Sequence, residues 1–359
     1  MNVFLKSQLL KRCPYRLINL SRKVRGNIRL TQGALVKFGI QPNAANVSEA
    51  IKRGFISVAT YSAWAPAGRI EHLTASELGW APAFEFYRAD TNQKKSIDLL
   101  WTDGPKPGNF GDWLSPYVIH KLTSRSIRLV DDYRLGGTKH LVAVGSLAPA
   151  VTKNSQVIGA GAARQDSKMN TSAKYYSVRG PHTASILRQQ GGPNVDAFGD
   201  LGFLLKKLYT PQKISLAADT LLVRHLNHKH LPIKLPAGMM ELSIEAASPI
   251  DIENFVDTLY SAKKVVTTAM HCYIACQSYG IPCALVTFKG VEDAVYGDGI
   301  KYLDAMGGVG LPERYPLRIS PNDLHACDSL IFDSFVKSEV LDEIERYARQ
   351  SLTSYFQDE

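Results

Sequence analysis

From about residue 95 onward, short apolar runs alternate with stretches in which apolar residues recur every three or four positions. Ile97–Trp101, Ile127–Val130, Leu141–Val144, Gln156–Ile158 and Tyr175–Val178 have the length and bounding polar residues of buried strands. After the first run, Leu114, Tyr117, Val118 and Leu122 fall on one helical face. Pro181 stands where a first helical residue belongs, and the helix it opens stops at Gly191-Gly192. The alternation resumes with strands at Thr220–Val223 and Glu241–Ile244. Ser248-Pro249 opens a helix with Ile252, Phe255, Val256, Leu259 and Tyr260 on one stripe. Asp251 and Glu253 lie in its first turn, where the helix dipole favours acids. A strand around Val265, a helix from Cys272 to Gly280 and a strand over Cys283–Val286 follow. Residues 288–320 read as a glycine-rich loop, and a last amphipathic helix carries Val336, Val340, Leu341, Ile344 and Tyr347.

Strands and helices alternating at this spacing predict an α/β fold with mostly parallel sheets. The expected organisation is two Rossmann-like domains facing across a cleft, over residues 96–209 and 210–320. A basic extension, residues 1–95, precedes them, and a helical segment, residues 321–359, packs back across them.

Charge changes the picture in one place. The net charge is +9, yet residues 1–55 hold eleven Lys/Arg and a single acid, Glu49. That stretch therefore carries +10 and the remainder is near neutral at −1. A duplex binder carries its basic surface on the folded body, so the distribution argues against nucleic acid. Val3, Phe4, Leu5, Leu9 and Leu10 lie among Lys6, Lys11 and Arg12. A helix over residues 1–30 would be basic and amphipathic, suited to an anionic membrane surface, and the pattern is also compatible with a transit peptide. No apolar run reaches the ~18 residues of a membrane span. Five cysteines without metal-type pairing, and no recognisable signal peptide, point to a reducing, cytoplasmic setting. Cys272 and Cys276, four apart on a helix, read as core residues.

Candidate chemistry collects at strand ends, where open α/β sheets bind ligands. Asn109 and Asp112 follow the first strand. Gly159-Ala160-Gly161 and Arg164 follow another, with small residues that let a ligand approach the backbone. Arg179 precedes a helix N-terminus, a natural anion site, although it could equally serve as a structural cap. Arg224 and His225 end a strand, with His228, Lys229 and His230 just beyond, and His271 stands where a buried strand hands over to a helix. The histidines near 225 lack a nearby carboxylate or Cys, so no residue is assigned to a metal. Arginines, a lysine and histidines together suggest a small ligand with two or three negative charges.

Four motifs in order, GNFGDWLSPYVI (Gly108–Ile119), SVRGPHTASIL (Ser177–Leu187), FGDLGFLL (Phe198–Leu205) and AMHCYIACQSYGIPCALV (Ala269–Val286), give a chain that resembles the polysaccharide pyruvyltransferase family. The resemblance is closest to the branch that places pyruvate ketals on succinoglycan-type exopolysaccharides. It implies a fold similar to B-type glycosyltransferases, phosphoenolpyruvate as donor, and a saccharide acceptor that can be lipid-linked at the inner membrane face. It implies no organic cofactor and leaves a divalent-metal requirement open. Under it, Arg179 first, then Arg164, Arg224 and Lys229, with Gly159 and Gly161, would hold the donor. Asn109 would meet the acceptor, His271 would protonate the methylene carbon, and Asp112 or His225 would take the hydroxyl proton. Two departures stand out: many members carry Arg-Leu-His where this chain has Ala269-Met270-His271, and Leu201 follows Asp200 where Pro is usual. Two other readings use the same cleft: a nucleotide-sugar glycosyltransferase of B-type fold, and a non-catalytic saccharide-binding relative. Against the glycosyltransferase, no acid stands placed for a ribose after Gly161.

Overall fold

The computed structural model describes residues 96–104, 108–130, 137–324 and 335–357. The basic extension, with its membrane-facing and transit-peptide readings, lies outside them. The described chain is α/β with two five-stranded, wholly parallel sheets, consistent with two Rossmann-like domains. The first sheet contains β1 (Ile97–Leu100), β2 (Ile127–Leu129), β3 (His140–Val142), β4 (Ser155–Ile158) and β5 (Lys174–Ser177), in the order β2-β1-β3-β4-β5. The second contains β6 (Thr220–Val223), β7 (Met239–Glu241), β8 (Lys264–Thr267), β9 (Cys283–Phe288) and β10 (Leu317–Ile319), in the order β7-β6-β8-β9-β10. Counted from its own first strand, each sheet has the order 2-1-3-4-5. In each, the winding reverses beside the first strand, between β1 and β3 and between β6 and β8. Such reversals leave a crevice at the strands' carboxyl ends.

The helices are α1 (Phe110–Thr123), α2 (Pro181–Gln189), α3 (Leu205–Leu208), α4 (Pro249–Ser261), α5 (Met270–Tyr279), α6 (Ile300–Gly307) and α7 (Ser338–Gln357). Local chemistry sets their ends. Ser248 caps α4 in a reciprocal box with Asp251, after Pro249 has fixed the first helical φ. Gly280 ends α5 at φ 74°, a left-handed conformation that glycine adopts without a Cβ penalty. α1 is buried over most of its length, and Phe110 stacks against Phe255 of α4 with centroids 4.2 Å apart. The apolar core is therefore continuous across both sheets. Cys272 and Cys276 are buried in it as free thiols. α7 buries Leu341, Ile344, Ala348, Leu352 and Tyr355, and a β-carbon at Gly199 would fall 2.5 Å from Ile344.

Two sequence expectations are corrected. Residues 288–320 are not a loop throughout: they hold α6 and β10. The strand expected at Glu241–Ile244 is β7, which ends at Glu241. Ile244 has left the sheet, and its carbonyl accepts from Phe110 N at 2.9 Å, joining the two halves.

Candidate active site

A pocket of about 340 Å³ opens where both sheets reverse. After β1 it is lined by Thr102, Gly104, Asn109, Gly111 and Asp112, and after β3 by Gly145 and Ser146. After β6 come His225, Leu226 and Asn227; after β8, Ala269, Met270 and His271; after β9, Tyr296 and Lys301. The N-termini of α1 and α5 thus reach one space, bringing free backbone N–H groups and partial positive charge with them. Two threonines fix the second wall. Thr267 Oγ1 donates to Val223 O (2.9 Å) and accepts from Ala269 N (3.0 Å). Thr268 Oγ1 accepts from His225 N (2.8 Å) and meets His228 Nδ1 at 3.0 Å. The ends of β6 and β8 are thereby held in register with His225 and His271.

His271 is 12 % exposed at its side chain. Its Nε2 faces Asp200 Oδ2 at 3.6 Å, longer than a hydrogen bond. Both atoms are buried and neither has a hydrogen-bond partner among the described residues. Asp200 Oδ1 accepts from Gly202 N at 2.9 Å, which aims the other oxygen at the imidazole. Catalytic hydrogen bonds are often long before substrate arrives. On the other side of the ring, a β-carbon at Gly111 would lie 2.3 Å from His271 Nδ1. Only glycine lets α1 pass there.

Asp112 lies in the first turn of α1 and accepts from Asn109 Nδ2 at 2.7 Å. Burial pushes its carboxyl above the usual range, against the opposing effects of Asn109, His271 and Lys301. Lys301, on α6, is 9 % exposed and donates to Tyr296 O at 2.7 Å. Burial, helped by the Arg179 charge and opposed by Asp112, lowers its ammonium from 10.5 to about 8. His225 is lowered to about 4, chiefly by burial and then by Lys301. Its Nδ1 accepts from Asn227 N at 3.2 Å, so the neutral ring carries its proton on Nε2.

The structure brings Asn109, Asp112, His225 and His271 together and sends the other expected residues elsewhere. Arg179 is fully buried: its Nε donates to Asp304 Oδ2 (2.9 Å), Nη1 to Ser146 Oγ (2.9 Å) and Nη2 to Ala162 O. It stands behind the pocket wall. Arg164 pairs with Asp166, Arg224 with Glu241, and Lys229 with Glu245. None of these four cations lines the pocket. Gly161 packs on the Arg179 guanidinium, 2.5 Å from a would-be β-carbon, and Gly159, at φ 82°, on Gly199 O. Their smallness serves packing. Sequence reasoning missed Lys301, Ser146 and the role of Asp200. Ile300, Tyr302, Ala305, Met306 and Val309 have the spacing that would have revealed α6. Among the described residues no group of three or more His, Cys, Asp or Glu could hold a metal ion.

The family model described as polysaccharide pyruvyl transferase matches residues 76–289, more than half of the chain. An uncharacterized protein, L143, of Acanthamoeba polyphaga mimivirus is 25% identical over 214 residues, covering 57% of this chain and 72% of its own. No solved structure matches.

Proposed function

The chain belongs to the polysaccharide pyruvyl transferase family, and from that premise we propose that it moves a pyruvyl group from phosphoenolpyruvate to two hydroxyls of one sugar. The products are a cyclic ketal and phosphate. The observation that carries this is the convergence of Lys301, His271 and Asp112 on one pocket at the N-termini of α1 and α5.

The donor carries a phosphate and a carboxylate. Lys301 and the two helix N-termini supply the positive field that would hold them, with Ser146, itself held by Arg179, beside them. Of the expected donor ligands, Arg179 thus acts from behind the wall, while Arg164, Arg224 and Lys229 are engaged by acids. His271, oriented through Nε2 by Asp200, delivers a proton from Nδ1 to the methylene carbon. The enol carbon becomes electrophilic and one sugar hydroxyl adds to it. Asp112, whose raised carboxyl is a better base than an ordinary one, takes that hydroxyl's proton. Phosphate then leaves and the second hydroxyl closes the ketal. One hydroxyl hydrogen is accounted for in the new methyl group and the other leaves with phosphate. His225, held neutral, is a weak base and serves as an Nε2–H donor to the substrate.

The succinoglycan-type branch, and the likeness to B-type glycosyltransferases, extend this reading. So does a lipid-linked acceptor met at the cytoplasmic membrane face by residues 1–30. Among the described residues no helix is long and apolar enough to cross a membrane. The test combines a thermal-shift panel with a phosphate-release assay. Phosphoenolpyruvate should raise the Tm while UDP and UDP-sugars leave it unchanged. His271→Ala should fold, keep the donor-induced shift and lose phosphate release with acceptor present. A shift with UDP alone, or turnover at the wild-type rate in His271→Ala, sinks the proposal.

A further inference from the structure

A second pocket, of about 500 Å³, adjoins the first. Lys301 lines both. The second is built beside β9 and β10, from Thr287 near the end of β9, the segment around Asp293 and Asp298 that follows it, Tyr315 just ahead of β10 and Arg318 within it. Tyr296 is 63% exposed and Tyr315 59%. They are the two most exposed large hydrophobic side chains among the described residues, and one lines each pocket. Open apolar surface concentrated at a cavity marks a contact site. The backbone has been shaped to present it: Gly299 stands at φ 91°, and a β-carbon there would fall 2.8 Å from the Tyr315 ring.

The charges decide what kind of ligand fits. Three carboxylates, Glu292, Asp293 and Asp298, face two cations, Lys301 and Arg318. Arg318 is engaged by Glu292. Asp298 already accepts from Gln165 N at 2.7 Å and Ile300 N at 3.1 Å. The Asp293 carboxylate and Thr287 hydroxyl make no side-chain hydrogen bond among the described residues. An anion would meet a net negative wall. A neutral polyol fits: its hydroxyls donate to Asp293 and exchange hydrogen bonds with Thr287, and its C–H face packs on the Tyr315 ring.

We propose that this pocket is a saccharide subsite for the sugar unit next to the one being pyruvylated, so that the preferred acceptor is an oligosaccharide. The inference rests on the pyruvyl-transfer reading, because that reading places the donor and the reacting sugar in the first pocket, which shares the Lys301 wall with this one. The full chain would be titrated calorimetrically, with phosphoenolpyruvate present, against the methyl glycosides of glucose, galactose and mannose, and against cellobiose, lactose and mannobiose. One disaccharide should bind roughly five- to tenfold more tightly than its monosaccharide, the contribution of one aromatic contact. Tyr315→Ala, at a half-open surface position, should fold normally. It should erase that gain and leave monosaccharide and phosphoenolpyruvate affinities unchanged. Absence of any size-dependent gain across the panel, or a gain that survives Tyr315→Ala, overturns the subsite. Phosphoenolpyruvate titrated alone separates the two failures: a chain that binds no phosphoenolpyruvate refutes the pyruvyl-transfer reading itself.

Discussion

Lys301→Met separates what the site does from what it costs. The ammonium is 9 % exposed and lowered from 10.5 to about 8. At 1.36 kcal/mol per pH unit, that depression corresponds to about 3 kcal/mol of folding free energy lost while the group is charged. Met fills nearly the same volume without a charge to desolvate. The variant forfeits the hydrogen bond to Tyr296 O (2.7 Å), about 1 kcal/mol. The net expectation is a gain of about 2 kcal/mol at neutral pH, roughly 4 °C in Tm for a body of this size.

The pH dependence follows from the sign of the shift. Below pH 8 the lysine is charged in both folded and unfolded chains, and the wild type bears the full penalty. Between about 8 and 10.5 the folded chain releases a proton that the unfolded chain keeps, so wild-type stability rises with pH. The advantage of Lys301→Met should therefore be largest at pH 7 and nearly gone at pH 10. Thermal unfolding of both proteins at the two pH values, paired with calorimetric titration of phosphoenolpyruvate, measures it. Donor affinity should fall at least tenfold in the more stable variant. A variant less stable than wild type at pH 7, or a Tm difference that ignores pH, would refute the desolvation argument; unchanged donor affinity would refute the assignment.

Two further substitutions test the supports of the site. Gly111→Ala puts a β-carbon on His271 Nδ1, yet alanine favours a helix over glycine by up to about 1 kcal/mol. Phosphate release should fall on the order of 100-fold, the cost of displacing a reacting group by about 1 Å, and the overpacking should take about 1–3 kcal/mol of stability, offset in part by the helix preference; a fully active variant would show that the imidazole works from elsewhere. Asp304→Ala removes the carboxylate that accepts from Arg179 Nε, Thr183 N (2.8 Å) and Thr183 Oγ1 (2.6 Å). Stranding a buried guanidinium should cost about 3–5 kcal/mol in urea unfolding. Loss below 1 kcal/mol would mean that Arg179 finds solvent or another acid.

The elements were legible wherever hydrophobic period and end signals agreed, as at Ser248-Pro249 or along β6. Residues 288–320 misled because glycine is dense there and glycine has two meanings. Gly297 and Gly299, at φ 120° and 91°, are turn residues. Gly308, though, lies where a β-carbon would fall 2.0 Å from Arg179 O, so its smallness records helix packing. Reading all of them as loop hid α6, and with it Lys301. Arg179 misled for another reason. An arginine ahead of a helix looks like an anion site, and what neutralises it, Asp304, is 125 residues away. Asp200 is likewise 71 residues from the histidine it faces. Local pattern specifies elements; it does not specify which buried charge meets which.

The GNFGD stretch explains why both switch points open on one pocket. Gly108 sits at φ 144°, and a β-carbon there would fall 2.6 Å from Ala246 O. Gly111 admits His271 in the same way. Between them, Phe110 N bonds to Ile244 O and the Phe110 ring seats on Phe255. Gly108, in the extended segment just ahead of α1, and Gly111, in its first turn, therefore mark two close approaches of the second half to this stretch. Asn109 and Asp112, offset by one position, turn to the open side, where they bond each other at 2.7 Å and line the pocket. The start of α1 and the residues leading into it thus join the sheets with one set of positions and turn a carboxyl into the pocket with the next. On the proposed mechanism, a seam residue such as Gly111 should therefore matter to turnover as much as His271 and Asp112 do.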